Sequence, residues 1–152
     1  LVGKPAPEFS LPALENPEQI VSSSDLEGQM ALFNVWATWC VGCRQEHGFL
    51  MELSSSNQVP IYGLNWRDER DAALSWLDRL GNPYRASAFD HEGQVAVEWG
   101  VYGAPETFLI GRDGTVLHKH IGPLTASHWR NDFVPIIEAH CGTLPCPLVE
   151  GE

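Results

Sequence analysis

The chain has 152 residues, 43% apolar and 19% charged, a globular composition at a length that one domain with a substantial core accounts for. Twenty acidic against nine basic residues leave a net charge of −11 and a pI near 4.8. The basic residues are scattered, which argues against a nucleic-acid surface, and the acidity suits a protein that needs no anionic partner.

The opening "KPAPEFSLPAL" carries three prolines and reads as an extended arm crossing the domain edge. "ALFNVWA" has the length and apolarity of a strand buried on both faces. The apolar stretch around it, residues 30–41, is broken by Asn34 and Thr38 and falls short of the roughly 20 residues of a spanning helix. A helix follows, with Phe49, Leu50 and Leu53 on one side. "VPIYGLN" is the next strand. "RDAALSWLDRLGNP" places Ala73, Trp76, Leu77 and Leu80 at helical spacing, and Gly81 with Pro83 stops it.

"YRASAF" reads as a weak strand. "TFLI" and "TVLHKHI" form a hairpin about Asp113-Gly114. The last helix begins near Ser127, turns Trp129, Phe133, Ile136 and Ile137 inward, and is kinked or weakened at Pro135. A parallel βαβ followed by ββα is an α/β architecture, a sheet with helices on both faces. Residues 1–140 form this domain and residues 141–152 a loose tail. The chain opens on Leu1-Val2-Gly3 rather than methionine, which implies a longer precursor with a signal or anchor upstream.

Four cysteines fall in two close pairs, C-x-x-C at Cys40 and Cys43 and C-x4-C at Cys141 and Cys146, a usage that suits an oxidising compartment. A buried strand feeding straight into a helix sets Cys40 at the helix N-terminus, where unpaired N–H groups and the dipole stabilise a thiolate. Cys43, one turn on and less exposed, can resolve a mixed disulfide that Cys40 forms. Rival readings each miss a requirement. Covalent haem attachment wants a histidine where Arg44 stands. A four-ligand zinc site wants a second pair of matching spacing. A peroxidatic cysteine wants proline and threonine where Phe33 and Ala37 stand. An inert structural disulfide is the remaining alternative to a reacting dithiol.

"NVWATWCVGCRQEH", "LGNPY" and "GVYGAPETFLI" resemble the CcmG/DsbE family of cytochrome c maturation, and the likeness runs from "LVGKPAPEF" to the last helix. It implies a thioredoxin fold with a short N-terminal extension and a central insert. It implies a periplasmic thiol–disulfide oxidoreductase that reduces the C-x-x-C-H disulfide of apocytochrome c, or a mixed disulfide on an assembly partner. Electrons would come from a membrane thiol reductase of the DsbD type, and the domain would be tethered to the inner membrane by an N-terminal anchor absent from this chain. No cofactor or metal is implied beyond the dithiol, and a monomer is expected.

Carried over by residue, Cys40 matches the nucleophile and Cys43 the resolving thiol. Pro105 matches the cis-proline beside the dithiol, with Ala104 offering its backbone to an extended substrate; an ordinary trans turn proline is the alternative. Glu46 and Glu106 match acidic residues that the family keeps near the dithiol, where a carboxylate disfavours the thiolate and can carry its proton; solvated surface charges are the alternative. Trp39 is expected as an exposed contact platform, and Val101 and Tyr102 as groove-lining residues. Asn65 and Asp68 rank below these, at a strand end where such sheets bind ligands. The family often has a proline between the cysteines, where this chain has Val41 and Gly42, and a proline where Gly48 stands.

Cys141 and Cys146 are expected to staple the tail locally, with a metal site including His140 as a weaker possibility. His118 and His120 share a strand face and read as solvated. Two other functions compete with the reductant of cytochrome assembly. One is a general thioredoxin-like reductase of the TlpA or ResA kind. The other is non-catalytic: a metallochaperone, or a module that only holds apocytochrome.

Overall fold

The computed structural model describes residues 1–141. The short strands β1 (Ser10–Pro12) and β2 (Ile20–Ser22) pair antiparallel as a small hairpin. The central strands are β3 (Ala31–Trp36), β4 (Ile61–Trp66), β5 (Ala86–Asp90), β6 (Glu106–Ile110) and β7 (Val116–Ile121), in the order β5-β4-β3-β6-β7. β3 runs parallel to β4 and β4 to β5, whereas β6 is antiparallel to both β3 and β7. The helices are α1 (Val41–Ser56), α2 (Arg70–Leu80), the short α3 (Gln94–Glu98), a single turn α4 (Ala126–His128) and α5 (Val134–Cys141). No described helix is long and apolar enough to cross a membrane.

Every residue of β3 and β4 is buried, because helices or the N-terminal segment cover both faces of the sheet centre. Side chains alternate along a strand, so β3 feeds two cores. Leu32 and Trp36 join Leu50 and Leu53 of α1, Trp76 of α2 and Ile137 of α5. Phe33 and Val35 join Phe9, Trp99 and Phe108 on the other face, where the Phe33 and Trp99 rings lie 4.7 Å apart.

The arm is extended as expected: part of it is β1, and an Ala13–Ala88 bridge ties it to β5 at the domain edge. Two elements differ from expectation. The short α3 has too few turns to leave a periodic signature. The last helix is continuous from Ala126, but Trp129–Phe133 is a π turn in which the Val134 N–H donates to the Trp129 carbonyl. The π turn ends two residues before Pro135, which has no N–H to donate. Cys141 is the last residue of α5 rather than the first of a tail; the expected Cys141–Cys146 staple involves Cys146, outside the described residues.

Candidate active site

The chain leaves β3 at Trp36, crosses a short turn and enters α1 with Cys40 as N-cap in extended conformation. Cys40 and Cys43 form a disulfide with their Cα atoms 5.3 Å apart, and the Cys43 N–H donates to Cys40 Sγ at 3.2 Å. Both residues are buried, Cys40 5% exposed and Cys43 1%. The expected order of accessibility therefore holds within a pair that is mostly covered. The capping geometry puts Cys40 where the first-turn N–H groups converge, which favours its thiolate once the disulfide is reduced.

The loop after β4 holds the two residues ahead of the nucleophile. Arg67 adopts a left-handed conformation, φ 49°, and its carbonyl accepts the Trp39 indole N–H at 3.0 Å. The Asp68 carboxylate accepts the N–H and hydroxyl of Thr38, the Asn65 amide and the Glu69 N–H. Asn65 and Asp68 thus act inside the protein as a clamp on the approach to Cys40. Trp39 leans on Trp66 with ring centres 5.7 Å apart and stays 53% exposed, as a platform requires. A shallow groove lined by Trp39, Cys40, Val41, Arg44, Gln45 and Trp76 opens beside it.

The Ala104–Pro105 bond is cis. The Pro105 carbonyl accepts the Gly122 N–H at 2.9 Å, while Ala104 precedes the β6–β7 ladder and its backbone takes no part in it. The ring seats against α1: a Cβ built on Gly42 would stand 2.8 Å from Pro105 Cδ and 3.2 Å from Pro123 Cγ. The glycine between the cysteines therefore permits a close approach of the two segments. Tyr102 is 79% exposed, but Val101 is only 4% exposed and packs in the Phe33–Trp99 core, so Val101 does not line a substrate groove.

Glu46, one turn beyond Cys43, is buried, not a solvated charge. Its Oε2 accepts from Asn34 Nδ2 at 2.9 Å and its Oε1 from the Leu124 N–H at 3.0 Å. Burial pushes its carboxyl up to about 7, against the lowering effect of those two hydrogen bonds. Asn34 also donates to Thr107 Oγ1 at 3.0 Å and accepts from the Tyr84 hydroxyl at 2.8 Å. Burial and the neighbouring Glu46 raise Tyr84 well above the ordinary tyrosine value.

Glu106 is also buried, which corrects its placement as a substrate contact. Thr107 meets Asn34 on the α1 face of the sheet, so strand alternation sends Glu106, its neighbour, to the opposite face. There Lys119 Nζ lies 3.1 Å from Glu106 Oε1 and 5.4 Å from the Phe108 ring centre. The same ammonium donates to the Gly100 carbonyl at 3.3 Å. Among the described residues neither Glu106 oxygen has a hydrogen bond of good geometry, so the lysine is its compensation.

The fold thus gathers Cys40, Cys43, Trp39, Ala104, Pro105 and Glu46 and sends Val101 and Glu106 elsewhere. Sequence reasoning missed Asn34, Tyr84, Thr107 and the loop from Gly122 to Leu124. The available signal was Asn34 itself, a polar residue inside an apolar strand. His118 and His120 are not simply solvated either: the His118 ring meets Phe133 edge-on at 4.8 Å and His120 lies 4.2 Å from His128. Among the described residues no three His, Cys, Asp or Glu side chains are grouped to hold a metal ion.

Comparison with known proteins agrees with this geometry. The Redoxin family profile matches residues 1–133. The chain is 46% identical over 145 residues to the thiol:disulfide interchange protein DsbE of Allochromatium vinosum, covering 95% of this chain and 80% of that one. It is 45% identical over 141 residues to DsbE of Escherichia coli strain K12, covering 92% and 76%. Among solved structures, a proposed thiol:disulfide interchange protein DsbE from Chlorobium tepidum superposes with a TM-score of 0.76 at 29% identity, covering 91% of this chain and 96% of that one. The thio-disulfide isomerase of Thermus thermophilus, 24% identical with a TM-score of 0.72 over 90% and 96% of the two chains, shares the fold.

Proposed function

Because the chain belongs to the DsbE/CcmG family of thiol:disulfide interchange proteins and is a thiol–disulfide oxidoreductase with a thioredoxin-like fold, we propose that it serves cytochrome c assembly as a reductant. Its substrate is the C-x-x-C-H disulfide of apocytochrome c, or the mixed disulfide that an assembly partner makes with it. It works in the periplasm, tethered to the inner membrane through sequence upstream of Leu1, and a membrane thiol reductase of the DsbD type resets it. The observation that supports this direction of electron flow is the buried Glu46 one turn from Cys43. A carboxylate there disfavours the thiolate, and a dithiol whose thiolate is less stabilised is the better electron donor.

In the reduced protein the Cys40 thiolate attacks one sulfur of the substrate disulfide. That S–S bond breaks, a mixed disulfide with Cys40 forms, and the other substrate sulfur leaves as a thiolate. Trp39 and the Ala104–Pro105 backbone flank the attacked bond and orient an extended substrate segment. Cys43 passes its proton to Glu46 and attacks Cys40 Sγ. The mixed disulfide breaks, the second substrate thiolate departs, and two electrons have moved to the substrate. The product is the Cys40–Cys43 disulfide described above.

The test is trapping. Cys43→Ser protein, reduced and mixed with an oxidised C-x-x-C-H peptide, is expected to accumulate a stable mixed disulfide through Cys40. Wild type is expected to reduce that peptide much faster than insulin. Equal rates on both would replace the specialised reading with a general reductase, and no reaction with the peptide would sink the cytochrome assignment.

A further inference from the structure

β3 is the centre of the sheet, and an amide in its middle costs free energy unless every polar atom is satisfied. Asn34 meets that condition with three buried partners from three other elements. Its Oδ1 accepts the Tyr84 hydroxyl, and its two Nδ2 protons go to Glu46 Oε2 and Thr107 Oγ1. The ionised Glu46 carboxyl can only accept and so takes the Nδ2 edge, and the Tyr84 hydroxyl holds the amide that way round by donating to Oδ1. With Oδ1 committed to the Tyr84 O–H, the edge turned to Glu46 is a donor, and the flipped amide would set a carbonyl oxygen against a carboxylate.

The second Glu46 oxygen faces another donor, the Leu124 N–H. Both oxygens thus meet groups that favour the ionised carboxyl, and burial is the opposing influence. The groups around Glu46 can be named by element. β3 and β6 present the neutral Asn34 and Thr107, and the segment before β5 presents Tyr84. The loop before α4 presents the Leu124 N–H. On α1 itself stand Cys43, Arg44 and His47, the last committed to the Gly81 carbonyl.

We infer that Asn34, oriented by Tyr84, is the positioning residue for proton transfer at the dithiol: it fixes Glu46 in place and sets the pH at which Glu46 can take the Cys43 proton. The inference rests on the reading of Glu46 as that proton acceptor, but its structural part is independently measurable.

The experiment is a ¹³C-carboxyl NMR titration of Glu46 in the oxidised protein, for wild type, Asn34→Leu and Tyr84→Phe. Alongside it, the pH profile of single-turnover reduction of an oxidised C-x-x-C-H peptide is recorded for each. Loss of the Asn34 donor is expected to move the Glu46 midpoint upward by about one pH unit, the scale of one hydrogen bond to a charged group. Tyr84→Phe, which keeps the amide but frees its orientation, is expected to move it less and in the same direction. The reduction profile is expected to shift with the midpoint. A midpoint unchanged in Tyr84→Phe and in any folded Asn34→Leu protein would overturn the inference. If Asn34→Leu does not fold, Tyr84→Phe alone decides. A midpoint that moves while the reduction profile stays in place supports the positioning of Glu46 by Asn34 and removes Glu46 from the proton step.

Discussion

The Asp68 carboxylate accepts both the backbone N–H and the hydroxyl of Thr38, at 2.8 and 2.7 Å, across 30 residues of sequence. Thr38 is two residues from the nucleophile, so a side chain on the β4–α2 loop determines where the turn ahead of Cys40 lies. Asp68 itself is buried and takes two further bonds, from Asn65 and Glu69. Removing it strands several donors at once.

Asp68→Ala is therefore expected to lower the unfolding free energy by about 2–4 kcal/mol, with Asp68→Asn intermediate because one of its two polar atoms still accepts. Urea denaturation measures this. A change below about 0.5 kcal/mol for the alanine variant, the range of an ordinary surface substitution, would refute the clamp.

Glu46 makes the stability of the protein fall as pH rises. Its folded-state value of about 7 lies above the ordinary 4.5, so between those values the unfolded chain ionises first and the folded state loses ground. The stabilisation is complete below pH 4.5 and gone above pH 7. A difference of about 2.5 pH units at 1.36 kcal/mol each corresponds to roughly 3 kcal/mol. Glu46→Gln, a neutral stand-in for the acid, is expected to exceed wild type by about 2–3 kcal/mol at pH 8 and to match it near pH 4.5, as read from denaturant midpoints at both pH values.

The same substitution exposes an opposing histidine contribution. Burial, the larger cause, and Arg44 lower the pKa of His47, against the raising effect of its contact with the Gly81 carbonyl. Burial lowers His118 as well. A depressed histidine stabilises the fold above its unfolded value of 6.5, and that contribution is lost as pH falls through the folded value. In wild type the Glu46 gain offsets this loss on acidification. Glu46→Gln is expected to lose stability more steeply than wild type between pH 6.5 and 5; parallel curves in that window would contradict the assignment.

On the far face of the sheet, Lys119 is the charge partner of the buried Glu106. Lys119→Met leaves a carboxylate uncompensated in the interior and is expected to cost about 2–4 kcal/mol, somewhat less than the roughly 3–5 kcal/mol for breaking a fully buried pair, because Lys119 is partly exposed. Adding Glu106→Gln is expected to recover most of the loss. A double-mutant cycle with additive effects would show that the pair is not coupled.

Local signals carried far along the chain. Apolar runs and helical spacing placed β3, α1, β4, α2 and the β6–β7 hairpin, and the strand–cysteine–helix order placed the dithiol at a helix start, because each depends on residues within a turn or two of one another. Elements without such a signal, β1 and the single-turn helices, became visible only as packing.

Composition and motif alone pointed to an acidic α/β domain with a C-x-x-C pair at a helix start, and the family resemblance added Pro105 beside it. Only the tertiary structure decided what surrounds that dithiol. Asn34 meets Tyr84 50 residues away, and Glu46 meets Leu124 at a separation of 78. The offset of one residue between Glu106 and Thr107 sends one to the Lys119 face and the other to the dithiol face. A buried polar group must find its partner wherever the fold puts one, and strand parity takes its meaning from what covers each face. Neither is a property of neighbouring residues in the chain.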